Sequence, residues 1–303
     1  MMENQFSTEN QINFKQVREF GDIFNVTFAF IRENFKGLII PLLIYVGPLV
    51  AIFGVLYGIF LTKYLGFGAF NNSSLIQYNT YNFGAGAALY LIAISFLGVL
   101  FFTLLIGIIN SYIILYIEKG KGKFTHSDVF NNTLKYFFQL LLTNIITSIF
   151  VGVGTLFCFI PGIYLGISMS FMSFIVMYER KGVGHALNRT FQIANSKWWW
   201  NFLIIFVFSI ITGIIGNILG LPFMIIQFLF QFGVLDNQYV DILYMFSLSG
   251  TYIVSFLTYT ILFVAISFQY FSIVEEKEAP DLYGRIGQIG QDNPTTKPNQ
   301  YTN

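Results

Sequence analysis

The chain has 303 residues, of which 55% are hydrophobic and only 10% charged, with a net charge of +1 and a mean hydropathy of +0.66. An ordinary soluble domain carries about 25% charged residues, so much of this surface is built for lipid rather than water. The near-neutral charge excludes a nucleic-acid partner, which needs a dense basic face, and the single cysteine excludes an intramolecular disulfide framework or a cysteine-based zinc site.

Residues 1–20 are polar and mixed in charge, without the basic-then-apolar order of a cleavable signal. Crossing the hydrocarbon core takes about 20 apolar residues in a helix. The first such run is 38–62, with Pro41 and Pro48 in its first half, and the second is 86–117. Runs over 139–160 and 162–178 follow, and Pro161-Gly162 between them predicts a tight hairpin turn. In the stretch 202–232, Gly220-Leu221-Pro222 predicts a span over 202–219, then a shorter apolar or re-entrant piece over 221–232. A last run covers 243–274. The expectation is an all-α integral membrane domain over 1–275 with six transmembrane helices, and a polar tail, 276–303, that is largely disordered.

Basic residues in short loops mark the cytoplasmic side. In a six-span arrangement, fifteen of the sixteen Lys and Arg residues fall on one side and only Lys63 on the other. That places both termini in the cytoplasm. The exterior side then holds a loop over 63–85 rich in Asn, Tyr, Gly and Ser, and a short loop near 233–242 with Asp236 and Asp241.

One phrase recurs: "DIFNVTF" at 22–28, "DVFNNTL" at 128–134 and "HALNRTF" at 185–191. Asn-x-Thr is a glycosylation acceptor, but all three copies fall on the cytoplasmic side, each just before an apolar run, so that reading fails. On a helix, Phe20, Ile23, Phe24, Thr27, Phe28, Ile31 and Phe35 form one apolar stripe. Phe130, Thr133, Leu134, Phe137 and Phe138 form a second, and Leu187, Thr190, Phe191, Ala194 and Trp198 a third. Asn25, Asn131 and Asn188 lie opposite. The pattern predicts three amphipathic helices at the cytoplasmic membrane face, each followed by two spans, with Trp198–Trp200 in an aromatic belt.

Four passages carry a resemblance: "EFGDIFNVTFAFIRENFK", "FIPGIYLGISMSF", "GVGHALNRTFQIANSKWWW" and "YFSIVEEKEAPDLYGRIGQIG". They resemble a bacterial group of uncharacterised multi-span proteins, similar to the membrane domain fused to some glycerophosphodiester phosphodiesterases. The resemblance covers nearly the whole chain and implies a bacterial inner-membrane protein. It supplies no catalytic residues, since the fused enzyme works through a separate soluble domain with acidic and His metal ligands. No segment outside the spans is long enough for such a domain.

No Asp, Glu, Lys, Arg or His lies inside the six runs, which argues against proton relay and ion-coupled transport. What remains polar in the apolar stretches is Asn110, Asn144, Asn217, Gln227 and Gln269, with scattered Ser and Thr. Asn110, Asn144, Asn217 and Gln269 are the candidate lining of a solute path, although hydrogen bonds between helices are the commoner use. His126 and His185 read as polar residues at helix starts, Gly54/Gly58 and Gly216/Gly220 as helix-packing pairs, and Cys158 as a small apolar filler. No catalytic, cofactor or metal site is expected. The expected partners are membrane lipids and a membrane protein. The expected function is a scaffold or accessory subunit acting on lipid or on that partner, and the alternative is a passive channel or transporter for a small neutral or lipidic solute.

Overall fold

The computed structural model describes residues 12–65, 84–232 and 240–278. Residues 66–83 of the Asn- and Tyr-rich loop, 233–239 of the short loop and the tail from 279 lie outside the described residues. The described residues form nine helices: α1 Phe20–Tyr45, α2 Gly47–Leu65, α3 Ala85–Lys119, α4 His126–Phe157, α5 Phe159–Ser168, α6 Met172–Tyr178, α7 Val183–Ser196, α8 Trp198–Gln231 and α9 Val240–Glu278. Five segments are long and apolar enough to cross a membrane, or six if α1 and α2 count as one broken span.

Two of the breaks fall just before prolines rather than at them. The run 38–62 is divided at Val46, and the helices on either side meet at 52°. Pro48 falls in the first turn of α2, where its missing N–H costs nothing. The hairpin expected at Pro161-Gly162 turns at Cys158 instead, whose backbone is extended (φ −169°, ψ 149°). Pro161 lies in the first turn of α5, again a position that tolerates it. Cys158 is exposed at this tip rather than a packed filler. The expected end near Leu219 is also absent: α8 runs unbroken through Pro222 to Gln231, as membrane helices with proline often do.

Two glycine contacts join the helices. A Cβ on Gly54 would fall on the backbone of Ser249, so α2 lies flush against α9 there, and Ser249 Oγ donates to Ala51 O at 3.0 Å. A Cβ on Gly162 would meet Thr155 Oγ1, which lets α5 fold back along α4. Small residues at such crossings substitute for the hydrophobic drive that lipid does not supply.

The best-buried region lies at the end of the bundle that carries the charged residues. There the segment before α1 crosses the helix ends and inserts Phe14, which is 2% exposed and stacks on Phe268 at 4.2 Å. Phe30 packs edge-on to Phe14 at 5.3 Å, and Tyr116 packs edge-on to Phe30 at 5.0 Å. Arg18 holds this strap in place. Its guanidinium donates to the carbonyls of Asn13 and Phe14 and stands over Phe268, 5.1 Å from the ring centroid. Its backbone N–H donates to Ser272 Oγ at 2.9 Å. Burial lowers the Arg18 pKa from its ordinary value, and nearby Asp22 opposes the shift.

Candidate functional site

The three copies of the repeated phrase begin at the same place in a helix. Asp22, Asp128 and His185 each stand three residues after an N-cap: Glu19, Thr125 and Gly182. In the first two copies the Asp completes a capping box. Asp22 Oδ2 accepts the Glu19 N–H at 3.3 Å and Asp128 Oδ2 accepts the Thr125 N–H at 2.7 Å. His185 has no such cap. The first Asp of the phrase is therefore a helix-start residue.

From that start, the same positions turn inward. Ile23, Val129 and Ala186 are fully buried; so are Thr27, Thr133 and Thr190; and Phe30, Tyr136 and Ile193 follow three residues on. Asn25, Asn131 and Asn188 are all exposed. The expected stripes are thus rotated: Phe24, Phe35, Leu134 and Phe138, placed in them, are exposed, with Phe138 at 80%. Lipid accepts an aromatic ring as readily as the core does, so apolarity alone does not mark the inner face.

The helices that carry the copies differ. The first opens α1 and continues into the apolar run after a non-helical residue at Asn34 (φ −113°, ψ 15°). There the side-chain amide donates to Phe30 O at 2.9 Å, and Tyr112 OH donates to Asn34 Oδ1 at 3.1 Å. The second is continuous with the run in α4. Only the third occupies a helix of its own, α7, which packs through Ala186, Thr190, Ile193 and Ala194. Three separate amphipathic helices are therefore not what the chain builds.

The threonines also use their hydroxyls differently. Thr27 and Thr133 donate to Ile23 O and Val129 O, four residues back, at 2.7 and 2.9 Å, and Thr133 Oγ1 also meets Ser111 Oγ of α3 at 2.9 Å. Thr190 donates outside its helix, to Ser168 O at 2.8 Å, and so ties α7 to the end of α5.

The four candidate lining residues do not share a cavity. Asn110 is 2% exposed, and its Nδ2 has no partner among the described residues. Asn144 donates to Thr103 Oγ1 at 2.9 Å, between α4 and α3. Gln269 donates to Asn201 Oδ1 at 2.7 Å, and Asn201 donates to Ala194 O at 3.1 Å. Gln227, similarly, donates to Thr251 Oγ1 at 2.9 Å. Asn217 lines a recess between α8 and α9.

A larger groove of about 1180 Å³ opens between α5 and the α7–α8 junction. Ile160, Ile163, Tyr164, Phe202 and Trp198–Trp200 give it an apolar and aromatic lining, and the exposed Asn195, Ser196 and Lys197 add a polar edge. Tyr164 stacks on Trp198 at 5.5 Å and donates to Asn195 Oδ1 at 2.9 Å. Lys197 pairs with Glu276, so this edge is close to neutral. The sequence placed the tryptophans at an interface, but nothing in it joined them to Tyr164, 34 residues away.

Beside this groove, an ionic cluster fixes α7. Arg189 Nε donates to Glu179 Oε1 at 3.1 Å, and its Nη1 pairs with Glu278. Tyr270 OH donates to the same Glu179 oxygen at 2.9 Å, and His185 Nδ1 lies 3.7 Å from Glu179 Oε2. Hydrogen bonding to Glu278 and Glu179 pushes the Arg189 pKa up from its ordinary value. The same bond from Arg189 holds the Glu278 carboxyl below the usual carboxylate range. Comparison with protein-family profiles, curated proteins and solved structures finds no match for the chain.

Proposed function

We propose that this protein is a non-catalytic, membrane-embedded scaffold or accessory subunit that works on lipid, and that it holds a lipid in the groove between α5 and α8. The observation that carries this reading is the groove's composition. Apolar and aromatic walls suit an acyl chain, while Asn195, Ser196 and the ion-paired Lys197 offer a near-neutral edge to a headgroup. Its volume, about 1180 Å³, is at or above the range of sites that bury small ligands. The resemblance of the chain to a membrane domain fused to lipid-handling enzymes agrees with a lipid role. On the same reading, the charged end faces the cytoplasm of a bacterium and the protein resides in its inner membrane, following the distribution of Lys and Arg.

The alternative, a passive channel or transporter, has weaker support. Asn110, Asn144 and Gln269 are spent on helix contacts or buried away from any cavity that Asn217 borders. A partner protein, on the accessory-subunit reading, meets the exposed Asn25, Asn131, Asn188 and Arg32. Arg189 is not available for this, since Glu179 and Glu278 hold it.

All three tryptophans of the chain are consecutive in this groove, so indole emission reports on it alone. The test is a titration of the detergent-solubilised protein with brominated phospholipids of different headgroups. Saturable quenching by one headgroup class, weakened by filling the groove with Ile163→Trp placed in a Trp199→Phe background, supports the reading. Quenching that merely follows the bulk bromine fraction for every headgroup, in wild type and variant alike, refutes it.

A further inference from the structure

The polar recess between α8 and α9 is independent of the groove and of the reading given to it. Ser209, Thr212 and Asn217 on α8 face Ser255, Thr258 and Tyr259 on α9, across Gly213 and Gly216. The recess encloses about 240 Å³, room for roughly eight waters at their liquid volume. No aliphatic side chain lines it, although the rest of this α8 surface is apolar, with Ile210, Ile214 and Ile218 each about half exposed.

Depth sharpens the observation. Thr212 is fourteen residues beyond Trp198, or about 21 Å along the helix at 1.5 Å per residue. This is well inside a span, where lipid offers no hydrogen bonds and an unpaired polar group is costly. Yet the Thr212 hydroxyl, on a residue 5% exposed, has no partner among the described residues. The side chains of Ser209 and Asn217 and the Tyr259 hydroxyl make no hydrogen bond among them either, although the Tyr259 ring packs edge-on to Phe102 at 6.5 Å. Gly216 keeps the recess open toward Thr258, because a Cβ there would sit 3.1 Å from Thr258 Oγ1, and a Cβ on Gly213 would meet nothing.

We infer that this recess is a binding site for a small neutral hydroxyl-bearing group, a glycerol unit in size and chemistry. The lining supplies hydroxyl and amide groups that both donate and accept, which matches a polyol. It holds no carboxylate, ammonium or guanidinium, so a charged ligand would sit there uncompensated. Ser209, Gly213, Asn217 and Tyr259 are exposed, so the entrance is lateral, from the lipid side. The same group is presented by a free polyol or by a diacylglycerol.

The test uses the full chain in lipid nanodiscs with two probes, glycerol followed by saturation-transfer NMR and dioleoylglycerol followed by native mass spectrometry. Two variants accompany it: Thr212→Val with Asn217→Leu, which removes the polar groups, and Gly213→Leu, which adds an apolar side chain to the recess from a position where a Cβ meets nothing within 4 Å. Saturable binding of either probe, weakened at least tenfold in whichever variant retains wild-type helicity and size, supports the site, and the probe that binds identifies the source. Binding of neither probe overturns the proposal. So does binding that both variants leave unchanged. If neither probe binds and Asn217→Cys in a Cys158→Ser background crosslinks two copies, the recess is a helix-docking surface instead, which also overturns it.

Discussion

Gln269 and Asn201 form a buried amide pair: Gln269 Nε2 donates to Asn201 Oδ1 at 2.7 Å, and Asn201 passes the chain on to the carbonyl of Ala194. Three elements, α9, α8 and α7, are thereby joined through two side chains. The Asn201→Leu and Gln269→Leu variants and their double mutant, unfolded in mixed detergent, should give a coupling of about 0.6–2 kcal/mol. Strictly additive losses would mean that the pair contributes nothing beyond its separate contacts.

The repeated threonines should not respond alike. Thr27→Val removes a hydroxyl that serves its own helix, so it should cost about 1 kcal/mol or less. Thr133→Val also takes a partner from the buried Ser111 hydroxyl of α3 and should cost about 1–3 kcal/mol. Thr190→Val leaves the Ser168 carbonyl without its partner in a buried setting, and should cost about 1–3 kcal/mol. A loss at Thr190 no larger than that at Thr27, in the same unfolding assay, would contradict the assignment of a tethering role to Thr190.

Gly54 and Gly220 provide a matched contrast. A methyl on Gly54 falls on the backbone of Ser249, whereas one on Gly220 meets nothing within 4 Å. Gly54→Ala is expected to destabilise the chain by about 1–3 kcal/mol, and Gly220→Ala to leave it unchanged or stabilise it by up to about 1 kcal/mol. Thermal inactivation in detergent measures both.

Acid should loosen α7. The Glu278 carboxyl is held below its ordinary range by Arg189, so its contribution is present above the unfolded carboxylate value and is lost as pH falls through the depressed one. Arg189 faces Glu179 and Glu278, with His185 against Glu179, and Lys181 and Lys277 near Glu278. Limited proteolysis near 182 should accelerate between neutral pH and pH 3 in the wild type. In Arg189→Gln it should be fast throughout. A wild type with no pH dependence would show that the cluster does not hold this helix.

How much of this was legible follows from what lipid does to a sequence. Helices and long apolar runs were visible because they need only length and composition. The repeated phrase was visible as well, and its Thr positions face the core. The inner face around them was misplaced, because rings such as Phe24 and Phe138 are as stable against lipid as against protein. The prolines marked breaks only loosely. The chain turns at Val46, just before Gly47-Pro48, and at Cys158, three residues before Pro161, where a proline's missing N–H and ring disrupt the preceding turn. Pro222 breaks nothing. The strap was invisible for the opposite reason. Phe14 and Arg18 sit in a stretch that reads as polar, and their burial depends on Tyr116, Phe268 and Ser272, each about a hundred residues or more away.

That last contact sets an order of events. Arg18 and Ser272 are 254 residues apart, and a ribosome adding 5–20 residues per second takes roughly 10–50 s to make the intervening chain. Throughout that interval Phe14 has no Phe268 to stack on and Arg18 has no ring beneath it. The strap can close only after the last helix has been synthesised. A nascent or truncated chain is therefore marked by a loose N-terminal segment with an unsheltered aromatic, and seating Phe14 reports that assembly is complete.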